Sequence, residues 1–346
     1  MRILVTGAGG MLGSNIATAA VQQSWEVLGL WHSTPAQVPG VSARAIDLSE
    51  RRACVAAASG FEPDAIVHAA ITGDPGRFER ESGLAELALR GVEHTLAAAS
   101  TVRARYVLMS CDWVFSGLRP PAGRWDETDE VEPVNAYGRT LAAAEALVRD
   151  AEVEWLIVRT GDPYGVNLSR PIERRDLVRG HGGRGRGERR GEPAGVRRQG
   201  ALAEHVWGCS GEAVRILARL REAHLQLPAP ADVRRSPTYA WDCAQRLCEL
   251  IAQDRAGIYH LAGPDSVHRR EYVRAISHAF GCAPTLVVEG DIPSYLRALG
   301  EPAELTLPPN TALDSGRARA ALGHPAVDME AGLWLMGDQL RRALAR

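Results

Sequence analysis

The chain opens with MRILVTGAGGMLGSNI, residues 1–16. Ile3, Leu4 and Val5 form a short apolar run that reads as a buried strand. Gly7, Gly10 and Gly13 follow at three-residue spacing, and Met11 to Ala20 read as a helix. Strand, glycine turn and helix in that order make the phosphate cradle of a dinucleotide-binding βαβ unit. The glycines let the backbone turn tightly and let a pyrophosphate approach. The helix start then offers its free N–H groups and positive dipole end to that anion. Gly7, Gly10, Met11, Leu12 and Gly13 are therefore assigned to cofactor binding, against the alternative of a purely structural turn.

Downstream, Trp25 to Trp31 (WEVLGLW) reads as a second strand and Arg44 to Leu48 (RAIDL) as a third, with Asp47 at its tip. Ala65 to Ile71 is a fourth strand, residues 83–99 a helix, and Tyr106 to Met109 begin a fifth strand. This alternation over 1–165 predicts an α/β fold with a Rossmann-type doubly wound parallel sheet. NAD-preferring sites place an acid at the end of the second strand, for the ribose 2′-hydroxyl. Here that end is His32-Ser33-Thr34, which tilts the expected cofactor from NAD towards NADP, although no arginine stands there for a 2′-phosphate. Asp47, followed by Leu48, is either a turn residue or an acceptor for the adenine amino group. The small Ala69 and Ala70 would let a cofactor lie close to the fourth strand end.

At 346 residues the chain can bury a large core, and its net charge of −2 gives no global attraction to nucleic acid or an anionic membrane. No apolar run reaches membrane-spanning length, and the first strand begins at once, so a cytoplasmic location is expected. The six cysteines show no metal-ligand spacing and read as reduced, mostly structural thiols; no metal is expected. All 40 basic residues are arginine; the chain contains no lysine.

The segments SCDWVFSG (110–117) and DETDEVEPVNAYGRT (126–140) make the chain resemble the extended short-chain dehydrogenase/reductases, and within them the dTDP-4-dehydrorhamnose reductase group. TGAGGMLG, VRTGDPYG at 158–165, RRSPTYAWDCA at 234–244, GIYHLAGPDS at 257–266 and NTALD at 310–314 carry the same likeness. The resemblance implies a nicotinamide cofactor, a small-molecule nucleotide-sugar substrate and a smaller C-terminal substrate lobe, with a homodimer as a further option.

Residues 134–150 read as a helix on which Tyr137 and position 141 lie one turn apart. The resemblance makes Tyr137 the group that exchanges a proton with the substrate oxygen, and expects a lysine one turn later to hold the nicotinamide ribose and lower the tyrosine pKa. That position is Leu141, and no lysine exists elsewhere to replace it. The hydroxyl expected at the end of the fifth strand is Cys111, a weaker donor, while the adjacent Ser110 points to the opposite face. An asparagine of many relatives aligns with Ala88, and an Arg-Pro pair near the C-terminus is Leu307-Pro308. Asp112 follows Cys111 as a catalytic acid or a loop cap. Thr160 suits the nicotinamide end, and Trp113, Arg235 and Tyr239 the substrate side, with Arg235 either pairing with a nucleotide diphosphate or lying on the surface.

An unshifted tyrosine, pKa near ~10, can give its proton to a reduced ketone, yet only about one part in a thousand is phenolate at pH 7. Slow reduction is compatible with this residue set, and efficient alcohol oxidation is not. The expected function is an NAD(P)H-dependent reductase of a 4-keto-6-deoxy sugar nucleotide with weakened catalysis. The alternative is a non-catalytic nucleotide-binding regulatory subunit, as in the β subunit of methionine adenosyltransferase.

Residues 1–168 are read as the dinucleotide-binding domain and 205–346 as the substrate lobe with returning elements of the first domain. Between them, 169–204 is crowded with glycine and arginine (Arg170, Arg174, Arg175, Arg179, Arg184, Arg186, Arg189, Arg190, Arg197, Arg198). It reads as an anion-binding tail, a disordered insertion or a shifted reading frame; the family pattern stops near Arg170 and resumes near Glu204, which favours the third. Poor order is expected over 175–200. Helical periodicity returns after Ala201, with a strand at 258–263 and helices near 269–280 and 328–344.

Overall fold

A computed structural model describes residues 1–118, 123–169, 212–217, 219–220 and 225–345. The expectation for 175–200 lies outside these residues, as does most of the Arg/Gly-rich stretch.

The sheet is built from β1 (Arg2–Thr6), β2 (Glu26–Trp31), β3 (Ser42–Ala45), β4 (Ala65–His68), β5 (Arg105–Cys111) and β6 (Trp155–Thr160). The strand Gly257–His260, from the C-terminal half, completes seven strands beside β6. Their spatial order is β3-β2-β1-β4-β5-β6 and then that last strand, and every pairing is parallel. A parallel sheet is covered on both faces, so its inner strands are apolar throughout, as in the buried Ile3, Leu4 and Val5 of β1 and residues 106–109 of β5.

Helices α1 (Met11–Gln22) and Ala240–Ala252 cover one face through Ile16, Ala20, Leu247 and Ile251. Helices α2 (Arg51–Phe61), α4 (Leu84–Val102) and α5 (Ala136–Arg149) cover the other, through Ala58, Val92, Ala144 and Val148. Between β4 and α4 lies α3 (Pro75–Arg80). In the C-terminal half, Leu227, Val273, Tyr295, Leu333 and Met336 belong to an apolar cluster that also takes in Cys111, Trp113 and Leu141. The helices of this half include Glu212–Leu217, Arg269–Ala279, Ile292–Ala298 and Met329–Ala345.

The expected Rossmann-type sheet is present, with two boundaries corrected. The third strand ends at Ala45, so Asp47 lies beyond it in a turn where its carboxylate accepts from the Ser49 N–H at 2.8 Å. The fourth ends at His68, because the Ala69 N–H turns to the Thr6 hydroxyl at 3.2 Å instead of continuing the ladder.

Candidate active site

The glycine turn closes around β4. A Cβ on Gly7 (φ +67°) would stand 2.5 Å from the Ala69 carbonyl oxygen, and one on Gly13 would run into the Gly7 carbonyl. Helix α1 starts at Gly10 with no side-chain cap and no acid in its first turn. The N–H groups of Met11, Leu12 and Gly13 therefore stand at an uncapped helix start beside Ala69 and Ala70, which suits a pyrophosphate. Beyond β2, His32 and Asp47 are exposed, with His32 Nε2 4.0 Å from Asp47 Oδ2. The Ser49 N–H holds the Asp47 carboxyl below the usual range. Asp47, in the turn after β3, thus stands beside the residue that follows β2. Leu48 is half-buried beside it, and its carbonyl accepts from His94 Nδ1 at 2.9 Å.

At the other end of the cleft, α5 is started by Asn135, whose side chain accepts from the Gly138 N–H at 2.8 Å, and by Glu79 of α3, which accepts from the Ala136 N–H at 2.9 Å. This fixes Tyr137, whose ring is held by Phe78 (centroids 5.2 Å apart) and the edge of Trp113 (5.9 Å). Cys111 Sγ accepts from the Trp113 N–H at 3.3 Å, and Cys111 and Tyr137 each shift the other's titration. Burial raises both groups well above their ordinary pKa values, and the neighbouring Cys111, Asp112 and Asp74 push Tyr137 further up. The groups that shift Tyr137 most include no cation. Leu141 is 1% exposed within the apolar cluster that includes Cys111 and Trp113, so the expected lysine position is filled by packing.

Beneath Cys111 lies a buried charge cluster. Asp112 is 1% exposed, accepts from the Thr311 hydroxyl, and has Arg235 Nε 3.8 Å away. Asp162, paired with Arg269 at 2.5 Å, repels it. Burial first and Asp162 second push the Asp112 carboxyl up to about 7. Arg235 is neither a surface residue nor a free anion clamp. It is 1% exposed, donates to the carbonyls of Arg234 (2.7 Å) and Pro308 (2.6 Å), and lies over the Trp113 ring. Tyr239 is also buried, 5.9 Å from Tyr164 in the core, and Trp113 is buried against Tyr137. Of the two alternatives for Arg235, burial removes the surface one. Thr160 is buried opposite Cys111 in the β5–β6 register, its hydroxyl against Cys243.

Ser110 faces away from Cys111, as expected, and donates to Glu145 Oε1 at 2.6 Å. Glu145 is held by the Nε and Nη2 of Arg159 at 2.9 and 2.7 Å, a buried bidentate pair behind the strand ends. Glu145, Arg159, Thr311 and Glu79 were not singled out from sequence, since none has a motif that names its distant partner.

The parallel sheet order, the glycine turn and a tyrosine at the end of β5 define a nucleotide-binding α/β protein of the Rossmann type. Residues 1–176 match the family described as RmlD substrate binding domain, and the chain belongs to it, an extended short-chain dehydrogenase/reductase family of dTDP-4-dehydrorhamnose reductase type. The chain is 24% identical to a dTDP-4-dehydrorhamnose reductase of Aggregatibacter actinomycetemcomitans, over 96% of this chain and 97% of that protein. It is 30% identical to the methionine adenosyltransferase 2 subunit beta of Xenopus laevis, over 47% of each chain. In fold it is similar to a Thermus thermophilus UDP-glucose 4-epimerase in complex with NAD (TM-score 0.73, 22% identity, 99% and 100% coverage). It is also similar to a dTDP-4-dehydrorhamnose reductase of Bacillus anthracis str. Ames in complex with NADP (TM-score 0.69, 20% identity, 98% and 99% coverage). Among the described residues no helix is long and apolar enough to cross a membrane.

Proposed function

We propose that the protein is a nicotinamide-dependent reductase of a 4-keto-6-deoxy sugar nucleotide, acting slowly and in the reducing direction. The observation that carries this is Tyr137, held on α5 beside the end of β5 and kept protonated by desolvation first, with the neighbouring Cys111 and the acids Asp112 and Asp74 adding to the shift. The reductase named in Aggregatibacter actinomycetemcomitans, similar along nearly its whole length, supports the substrate class.

Gly7, Gly10, Met11, Leu12 and Gly13 would hold the pyrophosphate of the cofactor, and His32, Asp47 and Leu48 its adenosine end. When bound, the nicotinamide supplies a hydride to the carbonyl carbon. The Tyr137 hydroxyl would give its proton to the carbonyl oxygen, completing the alcohol. Trp113 and Phe78 hold the ring in place. Losing a positioned acid typically costs ~10²–10⁴-fold, so Tyr137→Phe should abolish measurable reduction while leaving cofactor affinity intact. Equal turnover by the variant would overturn the assignment.

A regulatory nucleotide-binding subunit is the second reading. It is supported by the buried Leu141 in the lysine position, by Cys111 in the hydroxyl position, and by the likeness to the methionine adenosyltransferase 2 subunit beta. On that reading the wild type binds cofactor and shows no turnover for the variant to lose.

A further inference from the structure

After β6 the chain reaches residues 166–169, where a run of polar contacts meets the cofactor cradle from three sides. Asn167 is buried and both ends of its amide are engaged. Its Nδ2 donates to the Gly9 carbonyl at 3.1 Å, and its Oδ1 accepts from the Ser14 hydroxyl (3.1 Å) and the Ser169 N–H (2.8 Å). The Ser169 hydroxyl donates to the same Gly9 carbonyl at 3.0 Å. On α1, Asn15 Nδ2 donates to the Val166 carbonyl at 2.9 Å, and Ser14 Oγ accepts from the Leu168 N–H at 3.0 Å. The Ser169 carbonyl accepts from the Gln37 N–H at 2.6 Å, in the loop that follows β2.

These contacts have one geometric consequence. Gly9 sits mid-turn, where a Cβ would collide with the Thr34 carbonyl, so the turn and the β2 loop already touch. Two donors converge on the Gly9 carbonyl and fix the peptide plane that leads into Gly10 and the uncapped start of α1. A buried network with its members satisfied is rigid and specifies one geometry. Contacts that pre-set a binding loop raise affinity by removing the ordering cost from the binding step.

We propose that the segment 166–169 is a cofactor-positioning strap, in which Asn167 and Ser169 lock the glycine turn at Gly9 and, through Gln37, the loop after β2 into one preformed cradle. Asn167 and Ser169 are positioning residues, since they act through the backbone of the turn. The strap runs on from β6 and so joins the nicotinamide end of the cleft to the adenosine end. This inference rests on the cofactor reading above, and it also makes a prediction that needs no cofactor.

The test compares full-length wild type with Asn167→Ala and Ser169→Ala. First, amide hydrogen exchange without ligand is followed in peptides covering residues 7–12 and, as control, 107–110. In Asn167→Ala the glycine-turn amides should exchange at least about tenfold faster while the β5 peptide is unchanged, as expected for a local opening. Second, the dissociation constants for NADH and NADPH are read by cofactor fluorescence. Asn167→Ala should weaken both by about tenfold, and Ser169→Ala, which leaves the Asn167 contact, by less. Unchanged turn exchange overturns the strap whether or not the protein binds cofactor, and so does exchange that rises equally in β5. Faster turn exchange with no cofactor binding by the wild type supports the strap and contradicts the cofactor reading.

Discussion

Asp112 makes the stability of the fold depend on pH in a direction opposite to that of most carboxylates. Its carboxyl is raised from 3.8 to about 7, chiefly by burial and then by Asp162, while the unfolded chain releases the proton near the ordinary value. Between those two values the folded state binds the extra proton, so stability is fully present below 3.8 and is lost as pH rises through about 7. At about 1.4 kcal/mol per decade, integration from about pH 5 to about pH 8 gives a loss of about 3 kcal/mol. The neighbouring Arg235 and Arg269 already temper the shift. The assay is urea unfolding at both pH values for wild type and Asp112→Asn, which cannot ionise yet can still pair with Thr311. Other buried acids such as Glu127, Asp242 and Glu301 titrate in both proteins and cancel in the comparison. The wild type should lose about 3 kcal/mol more than the variant on going to the higher pH. Equal losses would refute the reasoning, and would mean that Asp112 is ionised and paired with Arg235 throughout.

Gly13→Ala places a Cβ against the Gly7 carbonyl, and should weaken cofactor binding by about tenfold or more, read by fluorescence titration. Glu145→Gln leaves the buried Arg159 guanidinium without its counter-charge and should cost about 3–5 kcal/mol in urea unfolding. Leu141→Lys puts an ammonium into an apolar cluster and should lower stability by on the order of 3 kcal/mol without restoring alcohol oxidation; an unaltered unfolding curve would show that the site admits water.

The glycine turn, the alternation of strands and helices that makes a parallel sheet, and Tyr137 were legible in the sequence because each is carried by local spacing. So were the two departures from the family pattern, Leu141 and Cys111, since each falls at a fixed offset within a short motif. The electrostatics were not legible in this way. Asp112 meets Thr311 across 199 residues, and Glu79 caps α5 across 57. Arg235 reads from sequence as either a diphosphate partner or a surface arginine, because its backbone-carbonyl partners, Arg234 and Pro308, are announced by no pattern of side chains. Asp47 shows the same limit on a smaller scale. The sequence shows no acid at the end of β2, and the turn after β3 brings Asp47 to within 4.0 Å of His32, a proximity that no local pattern announces.

The measurement that bears most directly on the account uses one cuvette. Purified protein is mixed with NADPH, and separately with NADH, and cofactor fluorescence is recorded. A dTDP-4-keto-6-deoxy sugar is then added and the cofactor absorbance followed. The account predicts binding and then slow, steady oxidation of the cofactor that Tyr137→Phe abolishes. Binding with no oxidation would contradict it and leave the regulatory reading in its place.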